Sequence, residues 1–310
     1  MAFPYLTDAV HGLFGISLPL PLPMFGLFVA IAMLVASSVL KRELQRKHDL
    51  GIIPAARIKR KGKQGNRTVV EILPQEIVGD LTLVVMLAGI AGARLFHLLE
   101  HIDEFLANPS AMIFTTSGLS IFGGLILGTL AGVYCVRRWQ LPLRPMLDAA
   151  APAMMLGYAI GRIGCQVSGD GDWGSAANMA LKPDWLPLWA WAQTYDHNIV
   201  GAIIAAPGVY PTPMYEVLMS MTCFALLWVF RKNPFQAGWL FAMYMLLAGI
   251  ERLLIEKIRI NPVFDILGIH ATQAEFISGA LIVAGFAGML ALSRKSSIQG
   301  NHPLQARGKL

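Results

Sequence analysis

The chain has 310 residues, 55% of them hydrophobic and 14% charged, with 3 cysteines and a formal net charge of +6; its mean hydropathy is +0.56 and its pI about 9.3. Soluble domains carry roughly 25% charged residues, and surface-to-volume scaling leaves no single soluble core able to hide so many apolar side chains. Disorder and a disulfide-stapled secreted fold are excluded by the same composition, so lipid must be the solvent for much of the chain.

A helix needs about 20 apolar residues to cross a bilayer. Such stretches lie at 21–40, 77–98, 117–136, 146–165, 214–230, 237–255 and 272–292, while strand-like alternation is absent. The prediction is an all-α polytopic membrane protein with about seven transmembrane helices, forming a single membrane-embedded domain over 1–310. The 146–165 and 237–255 stretches contain arginines or acids that lower their hydropathy.

Lys and Arg in the connections set the orientation. Residues 1–20 hold none, whereas the segment from Lys41 to Arg67 is rich in both. The 99–116 connection has no Lys or Arg but carries Glu100, Asp103 and Glu104, Arg137, Arg138 and Arg144 follow the third stretch, and 166–213 holds only Lys182. Arg231 and Lys232, then Arg294 and Lys295, complete the alternation. The N terminus is expected outside and the C terminus in the cytoplasm. Residues 41–76 become a basic cytoplasmic insertion and 166–213 a small periplasmic head. Basic charge gathered on the inner face suits anionic head groups, so no nucleic-acid partner is expected. The first span lacks a positive n-region and a cleavage site and reads as a retained helix. Cys135, Cys165 and Cys223 have no metal-ligand spacing; neither a metal nor another cofactor is expected.

Charges inside spans cost about 2.5–3.5 kcal/mol each on insertion scales and therefore mark candidate functional sites. Glu76 and Asp80 sit near an inner end and suit a cap or a solvated surface. Arg94 lies in the second span and Asp148 opens the fourth, which ends at Gly161-Arg162-Ile163-Gly164. Tyr215 and Glu216 open the fifth span, and Arg252, Glu256 and Arg259 recur at i, i+4 and i+7 in the sixth. Arg252 with Glu256 can be a plain ion pair. The excess of arginine over acid in the outer half suggests instead a bound anion, and a lipid phosphate matches a guanidinium fork. Gly123, Gly124 and Gly128 allow close approach of a helix or a lipid chain, with helix packing the default. No repeat of the kind seen in transporters relates the two halves.

In this order along the chain, the residues resemble the prolipoprotein diacylglyceryl transferase family. The likeness runs through the glycine pair of Gly118 to Gly124, then Asp148 to Pro152, Gly161 to Gly164 and the glycine-rich 169–174 stretch. It continues in Pro211 to Glu216 and in Arg252, Glu256 and Arg259 followed by Gln273. The resemblance implies a multi-pass protein of the bacterial inner membrane. Its activity would transfer the diacylglyceryl group of phosphatidylglycerol to the lipobox cysteine of a preprolipoprotein signal peptide, the first step of lipoprotein maturation. Arg162 and Arg252 would then be catalytic, and Arg94 and Arg259 would join them on the lipid phosphate. Asp148, Glu256, Tyr215, Glu216, Gln273, Gly123, Gly124 and Phe122 would be supporting residues.

Three positions depart from the family pattern: Phe122 stands where many members carry His or Tyr, Phe25 replaces a tyrosine, and Cys165 replaces an asparagine. Phenylalanine cannot take a proton. Either the thiol, with an ordinary pKa near about 8.5, is ionised by the arginines or served by Tyr215, Glu216, His97 or His101, or the chain is a non-catalytic lipid-binding paralogue.

Overall fold

The structure is a computed structural model that describes residues 2–16, 19, 22–61, 67–114, 120–266 and 269–294. Gly118 and the basic residues Lys63 and Lys295 lie outside the described residues. In chain order the elements are α1 (Leu6–Phe14), α2 (Met24–Asp49), β1 (Ala56–Lys61), β2 (Arg67–Ile72) and α3 (Val78–Glu100). Next come α4 (Ile102–Ala107), α5 (Pro109–Phe114), α6 (Ile121–Arg138), α7 (Leu143–Ser168), α8 (Leu188–Trp191) and α9 (Thr212–Phe230). The chain continues with α10 (Trp239–Glu256), β3 (Val263–Ile266), β4 (Ile269–Thr272) and α11 (Gln273–Ala291).

Among the described residues, five helices (α2, α3, α6, α9 and α11) are long and apolar enough to cross a membrane, which makes this a polytopic helical membrane protein. α7 and α10 are as long, with 26 and 18 residues, but their composition is broken by Arg144, Asp148, Pro152 and Arg162 in one and by Glu251, Arg252 and Glu256 in the other. The strand pairs were not foreseen. β1–β2 and β3–β4 are antiparallel hairpins, too short and too charged for alternation to register in sequence. The first of them lies inside the basic 41–76 segment.

The chain forms two compact units, residues 1–38 with 150–310 and residues 39–149. In the 39–149 unit, Leu44, Ile53, Ala56, Ile77, Val136 and Leu141 make a core at the foot of the first hairpin. There α3 and α6 pack through glycine. A Cβ on Gly92 would strike Leu127 Cβ at 2.7 Å, and one on Gly123 would strike Phe96 Cβ at 2.5 Å. Gly124 is looser, with Gly89 O at 3.2 Å from the same hypothetical atom. Small residues let backbones approach in this way where lipid supplies no hydrophobic drive between helices.

In the other unit, Ala151, Met155, Cys223, Leu227, Leu240 and Met243 form the core joining α7, α9 and α10. α10 lies against α11 through Gly249, whose absent Cβ would meet Ser278 O at 2.9 Å, and through Gly285. α2 approaches the end of α7 at Gly164, where a Cβ would sit 2.9 Å from Phe28 Cβ and 3.5 Å from Phe25 Cδ2. Between α7 and α9 the chain is mostly irregular around Ala177, Ala192 and Tyr210. Tyr195 is buried there, its hydroxyl donating to Gln166 Oε1 at 2.9 Å.

Candidate active site

Three arginines, Arg162 from α7, Arg252 from α10 and Arg259 from the turn beyond α10, converge on one carboxylate. Pro211 and Pro213 start α9 where the irregular segment ends, and its second turn brings Glu216 inward, fully buried. Arg162 reaches it from the last turns of α7, with Nε 3.2 Å from Glu216 Oε2. Arg252 Nη1 lies 3.6 Å from Oε1, and Arg259 Nη1 lies 4.0 Å from Oε2. Oε2 has ion-pair distances but no aligned hydrogen bond, because Arg162 Nε–H points instead at Tyr158 Oη, 3.1 Å away. That hydroxyl donates to Glu216 Oε1 at 2.9 Å, and the guanidinium lies over the Tyr158 ring at 5.1 Å. An unpaired buried guanidinium would be costly, so this carboxylate is what allows arginines to be held here.

A second carboxylate bridges two of the three. Asp172, on the loop after α7, receives Arg162 Nη1 on Oδ2 and Arg259 Nη2 on Oδ1, the latter at 2.8 Å. Backbone contacts fix this loop. Ser175 N donates to Ile258 O at 2.8 Å, and Thr212 Oγ1 donates to Asp172 O at 2.6 Å. Gly174 is required at that crossing because a Cβ there would sit 2.6 Å from Ile258 O. Burial alone would raise the Asp172 pKa, but Arg162 and Arg259 together hold it below its ordinary 3.8.

Arg252 is fixed from the other side. Its Nη2 lies 3.0 Å from Glu256 Oε2, while Glu256 Oε1 accepts from Asn261 Nδ2 at 2.7 Å and from Thr272 Oγ1 at 2.6 Å. Thr272 also caps α11. Glu251, one residue from Arg252, is buried and accepts from Ser220 Oγ at 2.6 Å.

The structure thus brings together Arg162, Arg252, Arg259, Glu216 and Glu256 from the sequence-predicted set. Within the same unit, two others have different surroundings. Tyr215 donates its hydroxyl to Ala190 O at 2.8 Å and so braces α8. Gln273 is exposed at the start of α11, and it is the neighbouring Thr272 that touches Glu256. Asp148 belongs to the 39–149 unit, buried 3.9 Å from Lys47 Nζ. Arg94, Phe122, Gly123 and Gly124 belong to that unit as well, on α3 and α6. Cys165 is buried one turn from Arg162, its sulfur 3.7 Å from Nη1.

Sequence reasoning missed Tyr158, Asp172, Ser220 and Thr272. The i, i+4 step from Tyr158 to Arg162 on α7 was available as a signal. The excess of arginine read from the sequence is also corrected. In space, Arg162, Arg252 and Arg259 face Glu216, Glu256 and Asp172 at ion-pair distances, because Asp172 and Glu216 arrive from other segments. Of these acids, Asp172 is the accessible one, its side chain 34% exposed against 0% for Glu216.

Fold and site together define a class: a multi-pass helical membrane protein with fixed arginines paired to a partly exposed carboxylate. The sequence matches the family described as prolipoprotein diacylglyceryl transferase over residues 11–291, and the chain belongs to that family. A Leptospira interrogans protein named phosphatidylglycerol–prolipoprotein diacylglyceryl transferase is 29% identical over 261 residues, covering 76% of this chain and 71% of the relative. A Corynebacterium glutamicum protein of the same name is 32% identical over 225 residues, covering 67% of this chain and 68% of the relative. One from Frankia alni is 31% identical over 277 residues, covering 85% of this chain and 63% of the relative.

Proposed function

We propose that the protein transfers the diacylglyceryl group of phosphatidylglycerol to the lipobox cysteine thiol of preprolipoproteins. The observation that carries this is the Asp172 carboxylate held between Arg162 and Arg259. Two guanidiniums spaced for the two oxygens of a carboxylate are also spaced for two oxygens of a phosphate. Asp172 is half-exposed and can give way to a ligand, whereas Glu216 and Glu256 remain as the buried counter-charges.

The substrate supplies the nucleophile, so the enzyme needs no cysteine of its own. The thiol sulfur attacks the glyceryl CH2, the C–S bond forms, and the C–O bond to phosphate breaks. The electron pair leaves with glycerol phosphate, which also takes up the thiol proton in the net reaction. Negative charge grows on the phosphate in the transition state. Arginines already oriented by Glu216, Glu256 and Tyr158 stabilise that charge without reorganising, which is electrostatic preorganisation. Arg162 and Arg252 carry this role, and Arg259 supports phosphate binding. The same positive field favours the thiolate of the incoming cysteine, so Phe122 is no bar to reaction.

The non-catalytic alternative is disfavoured by the complete arginine framework and by relatives that are named as transferases. The proposal includes seven crossings within one membrane-embedded domain, with the N terminus outside the bacterial inner membrane. Residues 41–76 then face the cytoplasm and 166–213 form the periplasmic head, and neither nucleic acid nor a cofactor takes part. The test is transfer of a radiolabelled diacylglyceryl group from phosphatidylglycerol to a lipobox peptide, comparing wild type with Phe122→His and Arg162→Ala. Turnover by wild type that is lost in Arg162→Ala supports the transferase. A folded wild type that is silent until Phe122→His restores transfer would overturn it in favour of a paralogue that has lost its reaction.

A further inference from the structure

The end of α3 carries a pattern that the proposed reaction does not use: His97-Leu98-Leu99-Glu100-His101. Spacings of three and four residues put the three polar side chains on one side of a helix, and a pair of histidines at i and i+4 is the helical arrangement that binds zinc in metalloproteases. The structure shows the consequence. One ligand atom each from His97, Glu100 and His101 lie within 4.8 Å of one another, and the two imidazoles are 4.5 Å apart between centroids, tilted by 47°. Glu100 and His101 are exposed and His97 is half-buried, so an ion has access.

Two further contacts set this cluster apart from a chance grouping of polar surface residues. His101 Nδ1 lies 3.1 Å from His97 O, so that an Nδ1–H donating to this carbonyl leaves Nε2 as the ring's free lone pair. Ser120 Oγ donates to Glu100 Oε1 at 2.8 Å, Oε2 accepts no hydrogen bond among the described residues, and Ser120 is itself fixed by its N–H on Ala93 O at 2.9 Å. Metal-binding histidines and carboxylates in proteins are oriented in this way, by a backbone carbonyl behind the imidazole and a hydrogen-bond donor on the carboxylate. Both supports are present here.

We propose that His97, Glu100 and His101 form a binding site for a divalent transition-metal ion, with zinc as the physiological class and solvent completing the coordination. Two imidazoles and one carboxylate form a donor set suited to Zn2+, Ni2+ or Cu2+ and poorly suited to Ca2+ or Mg2+, which favour oxygen. Bonds of about 2.0–2.2 Å require the three side chains to close by small rotamer changes, which their exposure permits. The ion would tie the end of α3 to Ser120, the residue that precedes α6. It would therefore stiffen the α3–α6 junction rather than act on a substrate. The sequence reading looked for a metal site through the cysteines and passed over this one.

The test uses the full-length, tag-free protein in detergent, stripped with EDTA and titrated with Zn2+ by calorimetry, then loaded with Cu2+ for electron paramagnetic resonance. The expected result is one zinc per chain, with affinity reduced at least about 10-fold in His97→Ala and in His101→Ala and by a smaller factor in Ser120→Ala. The wild-type Cu2+ spectrum should carry superhyperfine coupling from two nitrogens, falling to one in each single-histidine variant. Zinc should raise the wild-type melting temperature and leave that of the His97→Ala/His101→Ala double variant unchanged. Absence of zinc uptake by wild type would overturn the proposal. So would uptake at the same stoichiometry and affinity in the double variant.

Discussion

The α3–α6 contact and the arginine cluster both bring helical segments together, and they do so by opposite means. At Gly92 and Gly123 the contact depends on missing side chains, and a single added methylene has nowhere to go. Around Glu216 it depends on long charged side chains whose pairing must be complete, because any one left alone would be a buried charge. The first contact is sensitive to volume and indifferent to pH. The second is sensitive to charge and tolerant of shape. A membrane protein that carries out chemistry on a charged group needs both, one to fix the scaffold and one to hold the field.

The largest expected effect is on the charge side. Glu216→Ala leaves three guanidiniums without their common partner and should destabilise the protein by about 3–5 kcal/mol, measured as a shift in the denaturation midpoint in mild detergent. Glu216→Gln, which keeps the volume and the Tyr158 contact, should lose nearly as much if charge matters and little if shape does. On the packing side, Gly123→Ala should cost about 1–3 kcal/mol by overpacking, while Gly124→Ala, whose neighbour needs to yield by only a few tenths of an ångström, should cost less. Equal losses at the two glycines would show that the close approach at Gly123 is not what holds α3 to α6.

Smaller effects sharpen the charge side. Tyr215→Phe should cost about 1 kcal/mol through the lost bond to Ala190 O and leave the pH profile of transfer unchanged, since its hydroxyl braces α8 and not the arginines. Asp172→Asn should lower KM for phosphatidylglycerol a few-fold by weakening the resident competitor for Arg162 and Arg259. The sign of its pH dependence follows from the lowered pKa. The stability that ionised Asp172 contributes is fully present above its ordinary 3.8 and is lost only as pH falls through the lower folded value. The difference between Asp172→Asn and wild type should therefore be constant from about pH 5 to about pH 8 and shrink only in stronger acid.

Among the described residues, the seven helices of 18 residues or more each overlap a stretch read from the sequence, and the two outside the five apolar spans are instructive. α7 and α10 are interrupted by Arg162 and by Glu251, Arg252 and Glu256, so the residues that make the site are the ones that depress the hydropathy of their own helices. Arg252 and Glu256 were legible because their partnership is local, at helical spacing, whereas Arg259 pairs with Asp172 and Glu216 from distant segments. Glu216 was legible as an acid opening an apolar span, though its three partners were not. Asp172 and Thr272 were invisible as site residues because their contacts cross 10 residues or more of chain to Arg162 and Arg259 and to Glu256. Nothing local distinguishes Asp172 from Asp170. The two hairpins escaped because each has only 4 to 6 residues per strand.

The central claim is that the arginines stabilise charge as it develops on the departing phosphate. The most direct measurement is the separation of kcat from KM for diacylglyceryl transfer in Arg162→Ala and Arg252→Ala, with each variant first shown to be folded. The account predicts that kcat falls about 10²–10³-fold while KM for phosphatidylglycerol changes only a few-fold, because the interaction strengthens as the C–O bond breaks. An unchanged kcat with a large rise in KM would contradict it, since the cluster would then hold the lipid in the ground state and contribute nothing to the chemical step.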